Sequence, residues 1–299
     1  MAADYYTSHI NLAQDYITNH IRGEIKLEDI ARAAGFSQFH FHRIFKDIVG
    51  ETVNNFVVRQ RLERALSLMK SGRGKTLTEI AMESGFRSST DFSRTFRQYF
   101  GIAPKNWDRK QQLEESKIRQ VDTGLQHYTL AHLEIMAKES RFEVQVDDFS
   151  ETQIAYIRVR NSYSDFAGIM NAFESLAKWA EQQGIYGTLI GMSQDDPDIT
   201  PAAQCRYDVC LTVPAGLKID RKAHPRINIR QLPACHVGKL PVRGDIYQVD
   251  KAWQFLMRYW LPRSGFYPEN LPTMEVYKQS PRVIGWEIFD LQCMVPLIS

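Results

Sequence analysis

The chain has 299 residues, of which 43% are hydrophobic and 24% are charged. This length allows two domains with their own cores, and this composition excludes a disordered chain. The net charge is only +2, but residues 1–110 carry 17 Lys and Arg against 12 Asp and Glu, and the remainder is net negative. The positive charge that would favour an acidic partner therefore belongs to the first third of the chain.

Several classes of protein are not expected from this sequence. The N-terminus lacks a basic stretch followed by an apolar core, and no apolar run approaches the length of a membrane span. Four cysteines in a chain of this length fit reduced, structural thiols better than a disulfide framework. No phosphate-binding loop, dinucleotide fingerprint or metal-ligand cluster is present. We therefore predict a cytoplasmic protein without cofactor, metal or membrane partner, and not an enzyme.

A pattern of apolar residues, glycine and arginine occurs twice in the first 101 residues. The shared positions are Ile30, Ala31, Gly35, Phe36, Phe41, Arg43, Phe45, Lys46 and Gly50 in the first copy, and Ile80, Ala81, Gly85, Phe86, Phe92, Arg94, Phe96, Arg97 and Gly101 in the second. Each copy predicts a helix, a tight glycine turn and a second helix.

The second helix of each copy combines a buried face with an exposed arginine. Phe41 and Phe45 lie four positions apart and share one helix face, whereas Arg43 projects about 200° away from Phe41. Phe92, Phe96 and Arg94 repeat this arrangement. A helix with an aromatic core face and an outward arginine is typical of a DNA recognition helix. Two such units could place two helices in successive major grooves of one duplex.

The remaining segments of this part follow from helix signals. Residues 5–22 have apolar positions at helical spacing, and residues 52–70 contain no Pro or Gly, so we expect a helix in each. Thr76 and Glu79 form a capping-box pattern that starts another helix. Residues 109–140 are polar and weakly periodic, which predicts a helical or partly extended linker.

The last part of the chain also repeats itself. Trp179 and Gly184 match Trp260 and Gly265 at an offset of 81 residues. Each half contains an alternating strand, an amphipathic helix that ends near its tryptophan, and further strands. Two β-α-β-β repeats predict an α+β domain with pseudo-two-fold symmetry and a pocket at the seam.

On these motifs, the chain resembles two known families along nearly its whole length. Residues 5–108 resemble the DNA-binding domain of the AraC/XylS family, most closely the MarA, SoxS and Rob group, in which this domain comes first. Residues 141–299, with Tyr207, Asp208 and the Trp260 to Gly265 motif, resemble the GyrI-like small-molecule-binding domain. The resemblance implies a multi-domain, Rob-like protein. We expect an all-α domain with two helix-turn-helix units at 1–108, a linker at 109–140 and an α+β domain at 141–299.

The AraC/XylS resemblance also implies which residues face DNA. They are Phe39, His42 and Arg43 in the first unit, and Ser89, Thr90, Asp91 and Arg94 in the second. Arginine can pair with guanine, and aspartate can accept from cytosine. Three alternatives stay open at this stage. Asp91 could be a helix-start residue, Phe39 could fill the core, and the arginines and His42 could face phosphate or solvent.

The GyrI-like resemblance implies an aromatic pocket with one acidic residue for cationic or amphiphilic compounds. Glu275 is the acidic candidate, and Tyr207, Tyr277, Trp260 and Trp286 are the candidate walls. A carboxylate among aromatic faces attracts a cation. The tryptophans could instead be core residues.

We therefore predict a transcription regulator whose C-terminal domain binds a small effector. Double-stranded DNA, that effector and RNA polymerase are its expected partners. Two alternatives remain for the C-terminal domain: a protein-interaction module, favoured by a salt-bridged Glu275 in a polar seam, and a minor hydrolytic activity that would use Glu275 and Tyr207 on small electrophiles.

Overall fold

The computed structural model describes residues 2–71, 74–108, 126–139, 142–197 and 199–298. The chain divides into two compact units, Met1–Leu113 and Glu114–Ser299. Within the described ranges, no helix is both long enough and apolar enough to cross a bilayer.

Unit 1 is helical, as the sequence predicts. Its helices are α1 (Ala2–Asn19), α2 (Leu27–Ala33), α3 (Gln38–Val49), α4 (Val53–Lys70), α5 (Leu77–Glu83) and α6 (Ser89–Phe100), followed by a short 3-10 helix (Pro104–Asn106). Helices α2 and α3 form the first helix-turn-helix unit, and α5 and α6 form the second. The two predicted copies are therefore confirmed as helix pairs, and α4 connects them.

Aromatic packing holds each pair together. Phe41 and Phe45 are fully buried with ring centroids 5.5 Å apart, and Phe45 also meets Phe56 of α4 at 5.6 Å. In the second pair, Phe92 and Phe96 are fully buried with centroids 5.5 Å apart. The core face predicted for each recognition helix is confirmed.

Unit 2 joins helices to one antiparallel sheet. Its strands are β1 (Gln145–Phe149), β2 (Thr152–Arg160), β3 (Leu189–Ser193), β4 (Arg206–Thr212), β5 (Asn228–Leu232), β6 (Cys235–Gly244), β7 (Tyr267–Pro268), β8 (Thr273–Gln279) and β9 (Phe289–Ile298). Its helices are α7 (Leu130–Lys138), α8 (Phe166–Gln182), α9 (Ile246–Gln254), α10 (Leu261–Ser264) and α11 (Pro281–Ile284). A π-helical turn, Phe255–Trp260, joins α9 to α10, and a 3-10 turn spans Ala202–Gln204.

The strand order shows the predicted internal symmetry. The sheet runs β1-β6-β9-β8-β3-β4-β2-β5, with β7 paired to β9. Strands β3 and β8 lie at the centre, and each half contributes one of them. Each β-α-β-β half is also preceded by a short strand that pairs with a strand of the other half: β1 pairs with β6, and β5 pairs with β2. Helix α8 packs on β2 and β4, and α9 packs on β6 and β9, so the two equivalent helices cover the same face.

The described part of the predicted linker is structured. Residues 109–125 lie outside the described residues, but α7 within 126–139 contributes the buried side chains of Leu133 and Met136 to the core of unit 2. These apolar side chains lie four and seven places after the capping residue Thr129. The boundaries at 108 and 141 remain predictions.

Candidate nucleic-acid interface and candidate effector site

Helix α3 presents its three predicted DNA-facing side chains to solvent. Phe39 is 91% exposed, so it does not fill the core, and His42 and Arg43 are also exposed. An exposed phenylalanine at the start of a recognition helix can contact a thymine methyl group. Because the structure describes no ion pair of Arg43, its guanidinium is available to a base or a phosphate.

The predicted DNA-facing residues of helix α6 are arranged differently from those of α3. Thr90 and Arg94 are exposed, whereas Ser89 and Asp91 are half-buried. The Ser88 hydroxyl accepts a hydrogen bond from the Asp91 backbone N–H at 3.1 Å, and the Asp91 carboxylate pairs with Arg94 at 2.9 Å. Asp91 thus lies in the first helical turn, where a negative charge is favourable. Its ion pair also offsets the repulsion that a lone carboxylate would meet near phosphate.

Two further cations lie on these helices. Lys46 and Arg97 are exposed, three positions after Arg43 and Arg94, and therefore on neighbouring parts of the same helix faces. They belong to the repeated pattern but were not among the predicted DNA contacts. Their shared place in both copies is the sequence signal that marks them as phosphate-contact candidates.

The second candidate site is centred on Glu275 in strand β8. The Tyr207 hydroxyl donates a hydrogen bond to Glu275 Oε2 at 2.6 Å, and the Trp253 indole N–H donates one to Oε1 at 2.9 Å. Among the described residues, Glu275 forms no ion pair. Its carboxylate is therefore bonded by two neutral donors, and no cation among the described residues pairs with it.

The two tyrosines beside Glu275 stay protonated. Burial, reinforced by the Glu275 carboxylate, holds the pKa of Tyr207 well above its ordinary value. The same two causes, burial first, raise the pKa of Tyr277. Burial also raises the pKa of the Cys293 thiol, which lies across from Glu275 on strand β9. Tyr207 therefore acts as a hydrogen-bond donor to Glu275 rather than as a base.

A glycine makes room for this arrangement. Gly191 on β3 is the direct cross-strand neighbour of Glu275. A Cβ atom at Gly191 would overlap the Tyr207 hydroxyl and would lie 3.1 Å from Glu275 Oε2. The Tyr207–Glu275 contact therefore requires glycine at this position.

The predicted tryptophans have different surroundings. Trp286 packs edge-on against Phe173 at 5.2 Å, and Phe173 packs edge-on against Tyr277 at 5.4 Å, so Trp286 joins the aromatic group next to Glu275. Trp260 instead lies over Gly238, where a Cβ would come within 2.7 Å of its ring, and stacks with Phe266. Both indoles are half-buried. The structure thus brings Tyr207, Glu275 and Tyr277 together.

Trp253 was not among the site residues predicted from the sequence, although it touches Glu275 directly. The internal repeat contains a signal for it. At the offset of 81 residues that aligns the two halves, Trp253 corresponds to Ala172, which is fully buried on α8. A large aromatic residue in one half and a small one in the other marks a place where the internal symmetry is broken.

The residue after Trp253 holds the chain segment that enters unit 2. Gln254 accepts a hydrogen bond from the Tyr128 N–H at 3.0 Å and donates one to the Gln126 carbonyl at 2.7 Å. The buried Arg258 donates to the Tyr128 carbonyl at 2.8 Å and lies 3.0 Å from the His127 ring nitrogen. Helix α9 and its π-helical continuation therefore contact both Glu275 and residues 126–128.

Comparisons with known proteins agree with this division. Residues 30–110 match a helix-turn-helix domain of AraC type, and residues 142–288 match a GyrI-like small molecule binding domain. The chain thus joins a helix-turn-helix domain to a small-molecule binding domain. The first domain is of AraC type, and the second is a GyrI-like domain.

Individual relatives match part of the chain. The probable transcriptional regulator LumQ of Photobacterium leiognathi is 32% identical over 96 residues, which cover 32% of this chain and 38% of LumQ. The probable transcription factor PqrA of Proteus vulgaris is 38% identical over 81 residues, covering 27% of this chain and 65% of PqrA. The chain therefore spans less than two thirds of either relative. A solved AraC-type regulator from Chromobacterium violaceum is 26% identical, covers 36% of this chain and 92% of its own, and has a TM-score of 0.32.

Proposed function

We propose that the protein is a one-component transcription regulator. Unit 1 binds a promoter through α3 and α6, and unit 2 binds a small cationic aromatic or amphiphilic effector. The observation that carries the effector assignment is Glu275, a half-buried carboxylate bonded by Tyr207 and Trp253 with no ion-pair partner in the described part of the chain. Contact with RNA polymerase belongs to the same proposal and rests on the family resemblance alone.

DNA binding is supported by the exposed side chains on the two recognition helices. Arg43 and Arg94 can pair bidentately with guanine, and Thr90 can bond most base edges. Lys46 and Arg97 add cations that suit phosphate. Because both units belong to one polypeptide, one chain suffices for an asymmetric site, with its recognition helices about one helical turn (~34 Å) apart on one face of the duplex.

A cation is the ligand that the charge of the second site favours. It would bring the missing counter-charge to Glu275 and meet the faces of neighbouring aromatic rings. A protein-interaction module would be favoured by a salt-bridged Glu275, whereas the structure shows this carboxylate bonded to Tyr207 and Trp253. The ligand hypothesis is therefore preferred.

Calorimetric titration with lipophilic aromatic cations and their neutral isosteres tests the effector assignment. Glu275→Gln should keep the fold and raise the Kd for cations by about tenfold or more, because a cation buried without its counter-charge loses several kcal/mol of stabilisation. Neutral isosteres should change far less. Glu151→Gln, at an exposed residue between β1 and β2, is the matched control and should bind like the wild type.

Two results would contradict this assignment. Equal losses for cations and neutral compounds would give Glu275 a structural role, and no binding by the wild type would favour the interaction-module alternative. Turnover of small electrophiles that Glu275→Gln abolishes would instead support the hydrolytic alternative.

The response to the effector is proposed to travel along α9. A cation at Glu275 competes with the Trp253 N–H for the carboxylate, and displacement of Trp253 moves the helix that also carries Gln254. Gln254 is hydrogen-bonded to Tyr128 and Gln126, which come soon after residues 109–125 in the chain. The ligand thereby gains a differential interaction with two states, as a switch requires.

An uncoupling variant tests this route. Gln254→Ala should bind the effector with a Kd within about threefold of the wild type, yet lose most of the effector-dependent change in DNA affinity. Lys178→Ala, on the other equivalent helix, serves as the control for an alanine substitution in a helix covering the same face. Retention of the full effector response by Gln254→Ala would refute the route while leaving effector binding intact.

A further inference from the structure

The turn of the second helix-turn-helix unit makes a tight contact with the segment that follows α1. Gly85 is the turn glycine between α5 and α6, with φ of +83°. A Cβ atom at Gly85 would overlap the backbone oxygen of Ile21, just after α1, and would lie 3.0 Å from Arg61 Nε. Ile21 is buried in the core that also contains Phe41 and Phe45 of the first helix-turn-helix unit. The backbone of the second helix-turn-helix unit therefore approaches the segment after α1 as closely as glycine permits.

Arg61 fastens the same contact from the connecting helix α4. Its Nη2 donates a hydrogen bond to the Gly23 carbonyl at 2.9 Å, and its Nε approaches the Ile21 carbonyl at 3.4 Å. Burial lowers the pKa of Arg61, with a further contribution from Arg87 of the second unit, and Asp91 opposes this shift. Arg61 thus bonds to the end of α1 while its charge interacts with the α5–α6 pair.

The equivalent turn of the first unit lacks this contact. Gly35 also has a positive φ, +69°, but a Cβ there would meet only the His9 ring, at 3.4 Å, which is an ordinary van der Waals distance. Both glycines carry the same backbone requirement. Of these two glycines, only Gly85 is also constrained sterically by a backbone atom outside its own helix pair, the carbonyl oxygen of Ile21. The two positions therefore form a matched pair for experiment.

We propose that Arg61 and Gly85 are positioning residues that fix the placement of the two helix-turn-helix units and thereby set the spacing between the two half-sites that the protein accepts. This inference rests on the proposed DNA-binding function.

The geometry of DNA makes such a contact consequential. One inserted base pair moves the second half-site by about 3.4 Å and rotates it by about 35° around the duplex. A rigid pair of units cannot follow that displacement and loses contacts at one half-site. If the contact made by Gly85 and Arg61 is loosened, the two helix-turn-helix units can change their relative placement. The protein therefore accepts several spacings with similar affinity.

The first test needs no DNA. Spin labels on cysteines introduced at the exposed Asp47 and Gln98, in a full-length Cys235→Ser background with the other native cysteines buried, report the distance between α3 and α6 by pulsed electron resonance. We expect a narrow distribution for the parent, broadened or shifted by about 3 Å in Gly85→Ala and Arg61→Met, because a few ångströms is the scale of one base-pair step. Gly35→Ala and the exposed charge-loss control Arg32→Met should keep the narrow distribution.

The second test uses DNA selected by the wild-type chain from random sequence, then altered by one base pair inserted or deleted between its two half-sites. The wild type, Gly35→Ala and Arg32→Met should lose at least about tenfold in affinity on the altered DNA, whereas Gly85→Ala and Arg61→Met should lose less than about threefold. Thermal melting shows which variants are folded. The test needs only one of the two variants Gly85→Ala and Arg61→Met to be folded.

The outcomes separate the two claims. Unchanged distances and unchanged spacing preference in both folded variants would overturn the role of Arg61 and Gly85 while leaving DNA binding intact. A wild-type chain that selects no two-part site would refute the DNA-binding proposal, and with it the spacing role. The spin-label distances would then still show whether these residues fix the two units.

Discussion

The two helix-turn-helix units share a core design and differ at the starts of their helices. In the second unit, Thr76 forms a complete capping box with Glu79, and the Ser88 hydroxyl accepts from the Asp91 N–H. In the first unit, the corresponding residues Lys26 and Ser37 make no side-chain capping bond. Similar aromatic packing thus supports two helix pairs with different local reinforcement.

This difference extends to the groups that are predicted to face DNA. Arg94 is held against Asp91 at 2.9 Å, whereas Arg43 has no ion pair among the described residues and stands near the exposed Phe39. The second recognition helix therefore presents an arginine with a preferred orientation, and the first presents a more adaptable surface. We expect the second unit to discriminate more sharply between bases and the first to tolerate more sequence variation.

The largest effects on stability should come from the aromatic cores, which are similar in the two helix-turn-helix units. Phe45→Ala and Phe96→Ala should each cost about 3–5 kcal/mol by leaving a cavity in a fully buried site. Site-resolved hydrogen exchange on the full chain measures this loss separately for α2–α3 and α5–α6. A loss below about 1 kcal/mol at either position would show that its ring does not hold its helix pair together.

The arginines should affect specificity next. Arg43→Ala and Arg94→Ala should each cost about 1–3 kcal/mol on the preferred site and relax the preference at one base pair, with little change in non-specific binding. The relaxation should be sharper for Arg94, because Asp91 orients it. Fluorescence anisotropy with single-base variants of the site provides the measurement. If an arginine variant weakened binding equally on all sequences, that arginine would be a phosphate contact.

The helix caps should give a smaller and one-sided effect. Ser88→Ala should cost about 1 kcal/mol, because it removes the hydroxyl that satisfies the Asp91 N–H, and Ser37→Ala should cost close to nothing. Urea unfolding of the two variants compares them directly. Equal costs would mean that the units do not differ in capping.

Asp91 should give the smallest change in stability. Asp91→Asn should alter the free energy of unfolding by less than about 1 kcal/mol, since its partner Arg94 is 78% exposed and the pair is screened by solvent. DNA affinity should rise slightly as a negative charge near phosphate disappears, and the preference at the base pair of Arg94 should weaken, because Arg94 loses the group that orients it. A lost preference for cytosine at one position would instead identify Asp91 as a base contact.

Periodic features were predictable from sequence, and features that depend on pairing across the sheet were not. The spacing of Phe41 with Phe45 sets a helix face regardless of context, so the recognition helices could be located. The role of Gly191 depends on its register opposite Glu275 and on the Tyr207 hydroxyl, 16 positions further along the chain. Such contacts follow from tertiary structure, which local patterns do not encode.

The same reasoning explains the effector site. Glu275, Tyr207 and Tyr277 were predicted as site residues through a family resemblance, and the structure brings them within hydrogen-bonding reach. Trp253 was missed because an aromatic residue on an amphipathic helix is ordinarily a core residue. Its direct bond to Glu275 joins α9 to β8 and depends on the tertiary structure.

Counting protein chains on one asymmetric DNA site tests the central claim most directly. The site is selected from random sequence by the full chain, and sedimentation velocity then gives the stoichiometry of the complex while footprinting maps the protected bases. The account predicts one chain per site, protecting two different half-sites in adjacent major grooves on one face of the duplex. Binding only to palindromic sites, and only as two chains, would contradict it.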